Sequence, residues 1–200
     1  MTSATVDVRE LPIQGKGRSD PGWWAMVWTI ATEAMLFAFL LFSFYYIGSM
    51  ARSAWPPSGP LSLKLSLPNT IILIVSSIFM WLAERGIERG SHTQLRAFLA
   101  ITFLLGLAFA IIQGFEWRAQ PFRPTTGVFG SLFYTITGFH GAHVIVGLIM
   151  NLFVQMRAWF GGFTRERHLA VTNAAMYWHF VDVVWLFVFI SLYISPRVAY

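Results

Sequence analysis

The stretch Tyr177-Trp178-His179-Phe180-Val181-Asp182-Val183-Val184-Trp185 decides the fold. It sits inside an apolar run from about residue 171 to 195. At roughly 1.5 Å of rise per residue, such a run crosses a hydrocarbon core of about 30 Å as one helix. His179 and Asp182 are three positions apart and share one face of that helix. Ionisable side chains are costly at that depth, so they mark candidate functional positions.

Working outward, Gly138-Phe139-His140-Gly141-Ala142-His143-Val144-Ile145-Val146-Gly147 has the same character. Two histidines share a helical face, and small residues between them allow close helix approach. Five apolar segments are expected in all, at 24–48, 68–83, 95–115, 129–159 and 171–195, within one transmembrane domain of residues 23–200. Trp55-Pro56-Pro57 and Gly59-Pro60 separate the first two; Pro121, Pro124 and Gly127 separate the third and fourth. Gly161-Gly162 breaks the fourth, and Pro196 is expected to end the fifth. The second segment is short, which predicts an upright helix or local thinning of the bilayer.

Composition agrees with this pattern. The chain is 56% hydrophobic and 12% charged, with a mean hydropathy of +0.59. Soluble domains carry about 25% charged residues, so an all-α polytopic membrane protein is expected. There is no cysteine, which excludes disulfides and thiolate metal sites. The net charge of +5 falls in short loops between apolar segments, so it orients the chain in a membrane and gives no case for nucleic acid. Residues 1–22 have none of the three parts of a signal peptide and are read as a soluble tail.

Five spans place the termini on opposite sides. The side of the N-terminal tail carries nine of the 14 Lys and Arg residues: Arg9, Lys16, Arg18, Arg85, Arg89, Arg96, Arg157, Arg165 and Arg167. The positive-inside rule then predicts a cytoplasmic N-terminus and an outside C-terminus.

The two opening stretches, with Gln113-Gly114-Phe115-Glu116-Trp117 and Thr32-Glu33-Ala34, resemble subunit III of the heme–copper respiratory oxidases, in its short five-helix form. The resemblance runs from about Trp24 to Ser195. It implies an accessory core subunit of a bacterial plasma-membrane oxidase that passes electrons from cytochrome c to oxygen and moves protons. It further implies that heme and copper lie in partner subunits I and II, that phospholipid is bound, and that this chain carries no redox centre or catalytic residue. The chain departs from the seven-helix form of the family by starting where that form's third helix would be.

Glu33 falls about nine residues into the first span, near mid-bilayer, with no Lys or Arg in helical reach on that span. The family carries a buried carboxylate at the corresponding place. Glu33 is therefore expected to be buried, either bonded to another helix or placed near the path of oxygen, protons or lipid. Glu116, His140, His143, His179 and Asp182 are expected to form an interhelical polar network, each bond contributing about 0.6–2 kcal/mol. Their depths differ too much for one shared metal site. Trp23, Trp24, Trp55, Trp81, Trp117 and Trp159 are expected at the membrane interfaces, and Trp178 and Trp185 inside the bundle. A quinol oxidase or nitric-oxide-reductase-associated relative would share these motifs. From another class, a transporter or channel is disfavoured by unbroken spans with few polar positions.

Overall fold

The computed structural model describes residues 20–51, 55–57 and 59–198. Residues 1–19 of the expected tail lie outside these. Five long helices follow in order: α1 Pro21–Met50, α2 Leu63–Glu88, α3 His92–Ala119, α4 Val128–Trp159 and α5 Leu169–Phe189. A π-helical turn, Ile190–Ile194, extends α5 into a short helix α6, Ser195–Val198. All five long helices are long and apolar enough to cross a membrane, and no strand occurs among the described residues.

Local chemistry sets the helix ends. Asp20 caps α1, its carboxylate accepting from the Gly22 amide at 2.8 Å, with Pro21 in the first turn where its missing N–H costs nothing. Ser62 caps α2 and Ser91 caps α3. Arg85, Arg118 and Arg157 stand in the last turns of α2, α3 and α4, opposite the partial negative charge of the free carbonyls. The α2–α3 turn runs through Gly90 at φ +78°, a conformation that other residues rarely adopt.

Two expected boundaries move. α2 begins five residues before Pro68, which lies inside the helix. In the second turn that proline forfeits one backbone bond, and the helix still starts at the capping Ser62. At the other end Pro196 does not stop the chain. The Ser195 amide reaches back to the Ile190 carbonyl, and this wider turn admits the proline one residue later.

α2 and α3 form a long antiparallel pair, with α4 against α3 and α5 closing the bundle on α2 and α4. α1 lies outermost, touching α5 and α4. The seam of α2 is a stripe of small polar and apolar residues, Ser66, Asn69, Thr70, Leu73, Ser76 and Met80, all buried. The two core indoles of α5 donate into that stripe: Trp178 Nε1 to Ser76 Oγ at 3.0 Å and Trp185 Nε1 to Thr70 Oγ1 at 2.9 Å. Trp185→Phe keeps the ring packing and deletes one bond, so it is expected to lower stability by about 1 kcal/mol. Thermal unfolding of the detergent-solubilised protein would show this, and an unchanged midpoint would mean the bond contributes nothing.

Trp24, Trp81 and Trp159 are exposed, as interface anchors are. Trp55 is not among them. Its indole is buried between Phe44 and Phe129, and a Cβ at Gly48 would stand 3.0 Å from its Nε1. A loop residue near the membrane surface can turn inward as readily as outward, and here a glycine and two phenylalanines make room for it.

Candidate functional site

The polar residues of the spans occupy three separate places. At one end of the bundle, in the last turns of α3, Gln113 and Glu116 are buried facing the Tyr193 hydroxyl. None of the three side chains has a partner in hydrogen-bond geometry among the described residues. Glu116 also borders a cavity of about 510 Å³ between the start of α2 and the α3–α4 loop, with Lys64 at its edge. Nearby, Trp117 Nε1 donates to Thr137 Oγ1 at 3.1 Å, and the Tyr134 hydroxyl donates to the carbonyls of Trp117 and Phe122.

The second place is the α2–α5 seam. Ser77 Oγ lies 2.6 Å from His179 Nδ1. Asp182, one turn along α5, is 6% exposed and faces Ser77, but neither carboxyl oxygen reaches hydrogen-bond geometry.

The third place joins α1 to α4. His143 Nε2 lies 3.0 Å from Glu33 Oε2, and its Nδ1 lies 2.7 Å from the Phe139 carbonyl. Phe37, one turn beyond Glu33, packs edge-on against the His143 ring at 5.0 Å between centroids. The Glu33 side chain is 34% exposed, so it is half-buried at the flank of the bundle and not buried as expected. The reason is the sparse packing of α1, which leaves one side of the carboxyl uncovered. Just beyond it, Ala34, Phe37, Ala38 and Leu41 of α1 face Phe180, Val183, Val184 and Phe187 of α5 across an apolar groove of about 350 Å³.

His140 stands apart from all three. It is fully buried against Trp185, Phe109 and Phe37, and neither ring nitrogen has a partner among the described residues. No hydrogen bond joins any two of the five polar residues expected in the interhelical network. The side-chain pairings between helices that do form are His143 to Glu33 and His179 to Ser77. Nor do three or more His, Cys, Asp or Glu side chains converge among the described residues in a way that would hold a metal ion. Ser77 was missed by the sequence reading, although the run of small hydroxyl residues along α2 signals a polar seam.

Five helices long and apolar enough to cross a membrane thus carry their ionisable groups at separate places along the helix seams. Residues 20–196 match the family model for cytochrome c oxidase subunit III. That span takes in all five long helices and all three polar places. The chain belongs to the cytochrome c oxidase subunit III family. Cytochrome c oxidase subunit 3 of Homo sapiens is 38% identical over 178 residues, covering 85% of this chain and 68% of the relative. The proteins of the same name from Drosophila yakuba and Osphranter robustus are 36% and 39% identical with the same coverage. As a subunit III, the chain is an accessory part of a multi-subunit terminal oxidase and a multi-pass membrane protein.

Proposed function

We propose that this subunit III is non-catalytic and supports subunits I and II of a bacterial plasma-membrane oxidase, which hold the heme and copper. Electrons come from cytochrome c, the donor named in its relatives, and phospholipid occupies grooves such as the one between α1 and α5. The N-terminus is cytoplasmic by the distribution of Arg and Lys. Carrying this reading is the dispersal of the ionisable side chains over three separate helix seams, where His143 and His179 bond to neighbouring helices and no three His, Cys, Asp or Glu side chains converge among the described residues.

Within that role, Glu33 lies near a route by which oxygen, protons or lipid approach subunit I. Its support is the carboxyl's half-exposed position in the middle of α1, beside the apolar groove. Deleting the subunit tests the first part: the remaining oxidase is expected to keep its heme absorption and to reduce oxygen. Loss of the heme bands, with subunit I still in the membrane, would overturn the non-catalytic reading. Glu33→Leu in the whole complex tests the second part. Sustained oxygen uptake is expected to decline, while uptake equal to wild type in a fully assembled complex would remove Glu33 from any route.

A further inference from the structure

The contacts of His143 fix more than its position. A carbonyl oxygen only accepts hydrogen bonds, so the 2.7 Å contact to Phe139 requires a proton on His143 Nδ1. That leaves Nε2 for Glu33 at 3.0 Å. Two arrangements satisfy this contact: a neutral carboxylic acid donating to a neutral imidazole nitrogen, or an imidazolium donating to a carboxylate. Each has one proton on the Nε2–Oε2 axis, and each has zero net charge. The two differ only by transfer of that proton from oxygen to nitrogen. In a membrane span, where an isolated charge is expensive, a pair that is neutral in both forms is well suited to hold a proton.

The surroundings add no further charge. Glu33 is the only carboxylate on α1, which has no His, Lys or Arg, and the phenols Tyr45 and Tyr46 lie three turns further along it. From α5, the Tyr177 phenol stands near Glu33, and its hydroxyl donates to the His143 carbonyl at 3.4 Å. From α4 the neighbouring titratable group is His140, one turn away and sealed among aromatic rings. His143 is held by the Phe139 carbonyl, by the edge of Phe37 and by Glu33, and its side chain is 13% exposed. Glu33 is the more open member at 34%.

We propose that Glu33 and His143 form one proton-holding pair at the α1–α4 seam, with His143 the positioning residue and Glu33 the member that exchanges with the outside. The proposal deepens the reading of Glu33 given above. Two coupled groups take up protons in two macroscopic steps that belong to the pair, and either group alone titrates in one.

The experiment is a pH titration of the assembled oxidase by infrared spectroscopy, with Glu33→Gln used to isolate the carboxyl band. The band is expected to change in two steps in the wild type and in one step in His143→Gln, whose amide preserves a donor and an acceptor. One identical step in both proteins would overturn the pair. Should His143→Gln fail to assemble, the histidine ring band is followed instead, with two steps expected in the wild type and one in Glu33→Gln. A ring band that titrates alike in those two would likewise overturn it. These readouts do not depend on turnover, so a pair can be found even where Glu33→Leu leaves oxygen uptake unchanged.

Discussion

Trp178→Ala is expected to cost about 3 kcal/mol or more and to prevent the subunit from accumulating in the assembled oxidase. The indole is 1% exposed and fills the space between α3 and α4, where Gly106 and Gly147 leave room for it. Its Nε1 bond to Ser76 Oγ is lost as well, which leaves a buried hydroxyl without its donor. In a bilayer the hydrophobic drive between helices is weak, so packing and hydrogen bonds carry the association. Immunodetection of the subunit in membranes, with the unfolding midpoint of purified protein, checks the prediction. Wild-type levels with an unchanged midpoint would mean that the contact is dispensable.

Gly106→Leu is the converse case and is expected to be of similar severity, about 3 kcal/mol. A Cβ at Gly106 would already collide with the outer edge of the Trp178 ring, and Leu148 closes the remaining side at 3.0 Å. A leucine cannot enter unless α3 and α4 separate, and that separation strips Trp178 of its contacts. The two lesions concern one volume, so they are not additive. The double variant Gly106→Leu/Trp178→Ala is expected to be more stable than the sum of its parts, because the leucine occupies part of the space the indole leaves. A double variant as unstable as the sum would show that the two positions do not share that space.

Much of this was legible in the sequence because the relevant signals are local. The apolar runs, the small residues of the stretch from Gly138 to Gly147, and the two inward indoles of α5 are all set by spacing along one helix. The start of α2 was less legible. Pro68 reads as a boundary, and only the cap at Ser62 shows that the helix begins earlier. Trp55 has the right depth for an interface anchor, and depth does not say which way a loop side chain turns. The polar pairs were the hardest to read. His143 and Glu33 are 110 residues apart, and His179 and Ser77 are 102 apart, so the register between helices decides those contacts. That register follows from the packing of the whole bundle, and no periodicity within one segment encodes it.

The most direct measurement is to isolate the full tagged chain from its native membranes in mild detergent and determine what accompanies it. A heme-containing partner, with oxygen consumption driven by reduced cytochrome c in the same fraction, is the predicted result. A chain recovered alone or as an oligomer of itself, with no heme absorption and no oxygen consumption, would contradict its role as an accessory oxidase subunit.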